Sequence, residues 1–132
     1  MYRTTDPEVI SEAVSMYDDE VVGFDPEAWV KDDRHIALTD GKGNVNLLEY
    51  VKDGVYTGHV FYKTRGKDAL TLLSKTIDQT FRDYPVRVIV GLTPEKKRGA
   101  RWISRRVGFT SHGLIDTIIG PCELFIMTKE TR

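Results

Sequence analysis

The stretch Phe61-Tyr62-Lys63-Thr64-Arg65-Gly66-Lys67-Asp68-Ala69 is the most informative part of the chain. A strand-like run leads into a basic loop that contains one glycine, and the loop opens a helix. Backbone N–H groups and the helix dipole attract phosphate at such a place, and Arg65 and Lys67 add positive charge. The segment therefore predicts a pyrophosphate site. An ordinary strand-to-helix turn with exposed basic side chains is the alternative, because a single glycine is a weak motif.

The C-terminal half continues with a helix, a strand, a second helix and a hairpin. Apolar residues after the loop recur at spacings of three and four residues, which predicts a helix: Leu70, Leu73, Ile77 and Phe81. Residues 86–92 form a β-branched run typical of a buried strand. Thr93-Pro94-Glu95 supplies an N-cap residue, a proline and a first-turn acid, so it predicts a helix that ends at Gly108. Residues 110–119 and 123–129 are predicted to form a closing hairpin around Gly120-Pro121.

The N-terminal half reads as a short strand, two helices and three antiparallel strands. Asp6-Pro7-Glu8 and Asp25-Pro26-Glu27 are helix-start signals, the first of which predicts a helix over residues 7–17. The acidic connection Asp18-Asp19-Glu20 joins the two helices. Turn residues then separate three runs that are rich in β-branched and aromatic residues, which predicts strands over residues 35–39, 45–51 and 55–62.

Composition places the chain among globular proteins. Its 132 residues are 40% hydrophobic and 30% charged, which excludes a disordered or collagen-like chain and predicts one domain over residues 1–132. The single cysteine, Cys122, excludes an internal disulfide and a zinc ribbon, and it favours a reducing compartment. No signal-peptide pattern or membrane-length apolar stretch is present. We therefore expect a cytoplasmic protein with no membrane partner.

Charge is divided unevenly along the chain. Residues 1–33 contain ten acidic and two basic residues, a net charge of −8, so the remainder carries +7. The acidic part could attract a cationic ligand and the basic part phosphates, although a solvated helical face is an equal alternative. Residues 94–109 contain six bases and one acid. This helix is modest evidence for nucleic-acid binding, since no known docking motif accompanies it.

The chain resembles the GNAT superfamily of acetyl-CoA-dependent N-acyltransferases. The resemblance covers essentially the whole element order and rests on Arg65-Gly66-Lys67 before a helix, a buried strand, Pro94 followed by Arg98-Gly99-Ala100, Val107-Gly108-Phe109, and Gly113. It implies an α+β fold in which helices flank a mixed, mostly antiparallel sheet. The strands over residues 55–62 and 86–92 would splay apart to form a cleft for acetyl-CoA. The short chain also resembles phage-borne members of the superfamily.

The resemblance also implies which residues hold the cofactor. The pantetheine arm would pair with the backbone near Phe61, Tyr62 and Lys63. The pyrophosphate would be capped by the N–H groups of the loop residues Arg65, Gly66, Lys67, Asp68 and Ala69. Lys97 stands where many members have a cofactor-contacting asparagine, and Arg98 follows it. The loop matches the family pattern only in part, because Asp68 stands where glycine is frequent.

The residues for catalysis follow from the same resemblance. Ser104 stands where many members have a tyrosine that protonates the leaving thiolate, so Ser104 or solvent would supply that proton. The candidate general bases are His59, Glu49 and, as third choice, His112; each could instead be a solvent-facing polar residue. Cys122 is interpreted as an incidental thiol.

The implied activity is transfer of an acetyl group to a primary amine by direct attack, with backbone N–H groups of the strand over residues 55–62 stabilising the oxyanion. The acidic N-terminal part favours a cationic acceptor, either a small molecule or a protein amine. Acylation of an amine on a modified nucleobase in DNA is an alternative, although nucleic acid is not the favoured partner. A catalytically inactive GNAT-like binding or inhibitory protein is another alternative. Pairing of the last strands would make a homodimer.

Overall fold

The computed structural model describes residues 1–17 and 23–132, so the predicted acidic connection Asp18-Asp19-Glu20 lies outside the described residues. The elements within those ranges are β1 (Tyr2–Arg3), α1 (Pro7–Ser15), α2 (Pro26–Val30), β2 (Ile36–Thr39), β3 (Asn44–Lys52), β4 (Val55–Tyr62), α3 (Gly66–Asp83), β5 (Val88–Pro94), α4 (Arg98–Val107), β6 (Thr110–Thr117), β7 (Gly120–Thr128) and a 3-10 turn (Lys129–Thr131). No helix within those ranges is long and apolar enough to cross a membrane.

The strands form one sheet in the order β1-β2-β3-β4-β5-β7-β6. Every neighbouring pair is antiparallel except β4 and β5, which run parallel. Tight turns connect β2 to β3 and β3 to β4, and Gly54 takes a φ of +80° in the second of them. The predicted mixed, mostly antiparallel sheet with flanking helices is therefore confirmed.

Helices cover both faces of the sheet, and a separate apolar cluster lies under each layer. On one face, α3 places Leu73 and Ile77 against Tyr56 and Ile89 of the parallel strand pair. On the opposite face, α1 places Ile10 against a cluster that includes Val45, Leu47 and Phe61. The apolar side chains that recur at helical spacing in α3 thus face the core, as predicted. Side chains that alternate along β4 consequently belong to different layers.

The start of α4 differs from the sequence prediction. The Thr93-Pro94-Glu95 signal predicts a helix from this point, but β5 continues to Pro94, which pairs with Cys122 of β7. The N–H of Glu95 also donates to the Pro121 carbonyl at 3.0 Å. Because β7 offers these backbone partners, the segment stays extended, and α4 begins only at Arg98.

The closing hairpin turns two residues earlier than predicted. Thr117 pairs with Gly120, so residues 118–119 form the turn, and the predicted turn at Gly120-Pro121 lies inside β7. The hydroxyl of Thr117 donates to the Gly120 carbonyl at 2.7 Å and accepts the N–H of Ile119 at 3.2 Å. These two bonds give the backbone groups of the short turn hydrogen-bond partners. Gly120 takes a φ of +106°, which most residues other than glycine avoid.

Candidate active site

A cleft opens between β4 and β5 in the middle of the sheet. The two strands pair only at Val55 with Val88, Tyr56 with Ile89, and Thr57 with Val90. Beyond those pairs β4 runs on to Tyr62 and β5 to Pro94 without pairing with each other. The predicted splaying of these strands is confirmed, and it exposes one edge of each strand to a ligand.

Gly58 lies at the point where the strands begin to diverge. A Cβ atom added there would come within 2.9 Å of the Ile89 Cγ2 atom, which is closer than real Cβ atoms approach. Glycine therefore allows β4 and β5 to stay in close contact up to the last paired residues. The last paired residue of β4 is Thr57, so the cleft begins at Gly58.

Backbone groups of β4 face the cleft at alternate residues. The N–H of Lys63 donates to the Gly43 carbonyl at 3.2 Å, on the β3 side. In an antiparallel pair, residues with groups directed to the partner strand alternate with residues directed away from it. Phe61 therefore also bonds to β3, whereas Val60 and Tyr62 direct their backbone groups into the cleft. Of the three residues predicted to pair with the pantetheine arm, Tyr62 is the one whose backbone faces it.

The predicted phosphate loop begins α3 at the open end of the cleft. Gly66 is the first residue of the helix, has a φ of +66°, and has no other atom within 4 Å of an added Cβ. The N-cap residue Arg65 makes no capping side-chain hydrogen bond, so no side chain of this segment occupies the first-turn N–H groups. Lys67 and Asp68 are exposed, and Ala69 is buried against the core. The loop thus presents backbone donors and free space to a ligand.

The side chain of Arg65 is held at the end of β4. Its guanidinium donates to the Tyr17 hydroxyl at 3.0 Å and to the Tyr62 carbonyl. The Tyr17 hydroxyl donates to the same carbonyl at 3.2 Å. These contacts leave the N–H of Tyr62 as its remaining backbone group on the cleft side. Arg65 is therefore predicted to contribute its backbone and its fixed positive charge, rather than a mobile side chain.

The other predicted cofactor residues lie in or at the start of α4, the helix that follows β5. Lys97 is the N-cap residue of α4, and Arg98 is its exposed first residue. Ser104 is half-buried in the same helix, and its carbonyl accepts the N–H of Phe109 at 3.0 Å. Their roles remain predictions, but the fold places all three on the helix that follows β5.

The predicted bases His59 and Glu49 meet on the face of the sheet that α1 covers. The distance between His59 Nε2 and Glu49 Oε1 is 3.7 Å, and the side chains are 42% and 44% exposed. The interaction with His59 lowers the pKa of Glu49 from its ordinary value, and this outweighs the opposite effect of partial burial. The pair joins a nitrogen base to a carboxylate that stays charged, an arrangement suited to accepting a proton from an amine.

Two stacked rings beside this pair, those of Trp29 and His35, were not predicted. The ring of Trp29 stacks on His35, with ring centres 4.6 Å apart and an angle of 14° between the planes. The His35 Nδ1 atom accepts the N–H of Tyr50 at 2.9 Å, and Trp29 also contributes to lowering the pKa of Glu49. The helix-start signal predicts the helix that contains Trp29, but only the packing of that helix on the sheet reveals the contact.

The third predicted base, His112, lies away from the His59 and Glu49 pair, and so does the incidental thiol of Cys122. His112 is on the exposed edge strand β6, which β5 and β7 separate from β4. Cys122 is a buried free thiol on β7, and its Sγ atom lies 3.5 Å from the Thr117 hydroxyl. The structure therefore does not bring His112 together with the other candidate bases.

A buried carboxylate that the sequence does not reveal attaches α4 to the sheet. Glu123 of β7 is 1% exposed. It accepts hydrogen bonds from Arg101 Nε at 2.7 Å, from Arg105 Nε at 3.1 Å and from Arg105 Nη2 at 2.7 Å. Burial raises the pKa of Glu123, but hydrogen bonds from Ser111 and both arginines outweigh it and hold the pKa at about 2. Two of the six bases predicted on this helix are thus internal partners.

No protein-family model and no curated protein sequence matches the chain. Solved structures of acetyltransferases do match it. A mutant of the spermidine N-acetyltransferase SpeG from Vibrio cholerae matches with a TM-score of 0.73 at 9% identity, over 96% of this chain and 93% of that one. The aminoglycoside acetyltransferase AAC(6')-Ib in complex with paromomycin and acetyl-CoA matches with a TM-score of 0.59 at 17% identity, over 77% of this chain and 69% of that one. The chain therefore has the fold of the GNAT N-acetyltransferases.

Proposed function

We propose that the protein is an N-acetyltransferase that transfers the acetyl group of acetyl-CoA to a primary amine by direct attack. The cleft between β4 and β5 is the observation that carries this proposal, because it exposes free strand edges beside the uncapped start of α3. The similar structures support it, since their names describe acetyltransferases in complex with coenzyme A or acetyl-CoA.

The residues lining the cleft fit the parts of this cofactor. The backbone groups of Val60 and the N–H of Tyr62 are available to pair with the amides of a pantetheine arm. The first-turn N–H groups of α3 and the open space at Gly66 suit a pyrophosphate, and Lys67 adds positive charge. Arg98, at the start of the helix that follows β5, is proposed to supply a further cation. Acetyl-CoA bound there supplies an acetyl thioester, in which the carbonyl carbon is the electrophile.

His59 and Glu49 are the proposed base pair. As the amine nitrogen bonds to the carbonyl carbon, His59 accepts the amine proton, and the nearby Glu49 carboxylate stabilises the imidazolium that forms. Backbone N–H groups of β4 stabilise the oxyanion. The C–S bond then breaks, and the sulfur takes a proton from solvent or through Ser104.

A cationic amine is the proposed acceptor. The helices α1 and α2 cover the side of the sheet that carries His59, and their acidic residues Glu8, Glu12 and Glu27 make the local electrostatic potential attractive to a positively charged ligand. The similar proteins are named for the acetylation of spermidine and of aminoglycosides, which are amines of this kind. Small molecules and protein amines both meet this description.

An acetylation assay with mass spectrometric detection tests the proposal. Spermidine, an aminoglycoside and glutamate serve as cationic and acidic amines, and we expect acetylated product from the cationic ones. His59→Gln should lower kcat about 10²-fold or more, the lower end of the effect of losing a general base. His112→Gln removes an exposed histidine of the edge strand β6 and should leave the rate unchanged. Absence of product with every amine, or equal losses in both variants, contradicts the proposal. Cofactor binding without any turnover would instead favour an inactive binding protein.

A homodimer is also proposed, through the edge strand β6. This strand has unpaired backbone groups on its outer side and carries the exposed apolar residues Leu114 and Ile115. Light scattering after size-exclusion chromatography should give twice the mass of the chain. Leu114→Lys should convert the dimer to a monomer, and a monomeric parent protein would exclude the dimer.

A further inference from the structure

One side of α4 carries a stripe of three residues, here called the α4 stripe, that takes no part in the ion pairs with Glu123. Only its first residue, Arg98, is also a proposed cofactor residue. The α4 stripe consists of Arg98, Trp102 and Arg106, which lie four residues apart and therefore on one side of the helix. Trp102 is 50% exposed. The guanidinium carbon of Arg106 lies 5.9 Å from the centre of the indole ring, so an aromatic surface stands beside a cation in solvent.

Other residues of α4 attach the helix to the protein. Val107 is buried in the main core, and Ile103 packs against that cluster. Arg101 and Arg105 bond to the buried Glu123 at 2.7 Å each. These contacts hold α4 in place, and the α4 stripe lies outside them.

The charge of the α4 stripe is uncompensated within residues 1–17 and 23–132. Glu123 neutralises part of the charge of Arg101 and Arg105, whereas Arg98 and Arg106 form no ion pair in these ranges. The two cations lie about 12 Å apart along the helix axis, one on either side of the indole ring. An occupant of the α4 stripe should therefore combine a flat aromatic group with negative charge on both sides of it.

We propose that the α4 stripe binds single-stranded nucleic acid. A base stacks on Trp102, and the phosphates that flank it contact Arg98 and Arg106. Stacking on an exposed aromatic ring between basic side chains is how many proteins bind single strands without sequence preference, because every base offers a flat face. This binding does not require acetyl transfer, so the proposal can be tested independently of the proposed enzyme activity.

Fluorescence anisotropy with end-labelled oligothymidylate and oligouridylate tests the proposal. Trp102→Ala should weaken binding about 5-fold to 100-fold, the range expected for the loss of one stacked base, and Trp102→Phe should retain most of the affinity. Arg98→Gln and Arg106→Gln should each reduce the slope of log K against log salt by about 0.7, the value for one phosphate contact with a single strand. Arg82→Gln is the matched control, because Arg82 is an exposed arginine of α3 that pairs with Asp83.

Two further measurements distinguish base stacking on Trp102 from unfolding of α4 and from simple attraction between charges. The thermal unfolding midpoints of the variants should equal that of the parent protein, which shows that α4 remains folded. Heparin carries negative charge but no bases, so its binding should be insensitive to Trp102→Ala. The proposal is overturned if Trp102→Ala binds oligonucleotide as tightly as the parent protein, or if it weakens heparin binding to the same extent. It is also overturned if acetyl-CoA displaces the oligonucleotide and loses its own affinity in Trp102→Ala, because the α4 stripe would then belong to the cofactor site.

Discussion

Replacing the buried Glu123 with glutamine is expected to destabilise the protein more than any change at a surface ion pair. Glutamine has nearly the same shape, but it removes the negative charge and directs an NH₂ group at guanidinium donors. Three short hydrogen bonds from Arg101 and Arg105 depend on that carboxylate. The perturbation therefore leaves the packing intact and removes the electrostatic link between β7 and α4.

The size of the effect follows from the burial of the three side chains. Hydrogen bonds to charged groups contribute about 1.5–3 kcal/mol each, so the total could be large. However, the side chains of Arg101 and Arg105 are 25% and 56% exposed, and water recovers part of their hydrogen bonding after the substitution. We therefore expect a loss of about 3 kcal/mol in the free energy of unfolding, the lower end of the range for breaking a buried ion pair.

Urea unfolding at neutral pH measures this loss, with Glu130→Gln as the matched control. Glu130 pairs with Arg87 at a similar distance of 2.8 Å, but both side chains are mostly exposed. Its replacement should cost less than about 1 kcal/mol, as is usual for surface pairs. Equal losses in the two variants would refute the argument that burial gives the Glu123 pair its importance.

The pH dependence of stability gives the same prediction a second readout. The pKa of Glu123 is lowered from 4.5 to about 2, so the unfolded chain binds a proton at higher pH than the folded one. The contribution of Glu123 to stability is therefore complete above pH 4.5 and disappears as the pH falls towards 2. The difference in unfolding free energy between the parent protein and Glu123→Gln should shrink over that interval. A difference independent of pH would contradict the assigned pKa.

Two glycine positions give the remaining predictions, each with a variant as control. Gly58→Ala should lower the free energy of unfolding by about 1–3 kcal/mol, because the added Cβ would come within 2.9 Å of the Ile89 side chain. The control Gly91→Ala should cost less, because the nearest neighbour of its Cβ lies at 3.9 Å. Chemical denaturation of both variants measures the difference. Gly66→Asp should abolish acetyl-CoA binding in a calorimetric titration because it places a carboxylate at the predicted pyrophosphate site. The control Gly66→Asn introduces an uncharged side chain of the same shape as aspartate that tolerates the positive φ at this position, and it should retain acetyl-CoA binding. Equal acetyl-CoA affinities of the two variants would exclude the loop as the phosphate site.

Much of the fold is predictable from local sequence signals. The apolar spacing that includes Leu73 and Ile77 predicts α3 and the side that it buries, and the turn residues between the runs over residues 45–51 and 55–62 predict the hairpin of β3 and β4. These signals succeed because the same residues determine both local conformation and burial. The resemblance to an acetyltransferase family adds the splaying of β4 and β5, which no local signal of either strand reveals.

The errors arise where a specific hydrogen-bond partner overrides a general helix-start or turn signal. Pro94 carries a helix-start signal, yet it ends β5 because β7 provides backbone partners for this segment. Gly120 and Pro121 have typical turn chemistry, yet the hydroxyl of Thr117 closes a shorter turn before them. At Pro94 the deciding contact comes from a strand distant in sequence, which a local pattern does not contain. At Gly120 the deciding contact is local, but it comes from a threonine side chain that the turn signal does not include.

The candidate site is predictable in its parts but not in its assembly. His59 and Glu49 appear in the sequence as separate polar residues on neighbouring strands, and the register of β3 against β4 brings their side chains together. The contact of Trp29 with His35 depends on how α2 packs, and the Glu123 interaction depends on where α4 lies. Sequence patterns indicate which residues are available, whereas packing determines which of them meet.

Calorimetric titration of the protein with acetyl-CoA tests the central claim most directly, with coenzyme A and ATP as comparison ligands. The cleft between β4 and β5 offers free strand edges that the amides of a pantetheine arm can pair with and that ATP, which has no such arm, cannot use, in addition to the proposed phosphate site at Gly66. We expect saturable binding of acetyl-CoA and coenzyme A with one ligand per chain, and clearly weaker binding of ATP. Equal affinity for all three ligands, or no binding of acetyl-CoA, would contradict the assignment of this cleft as the cofactor site.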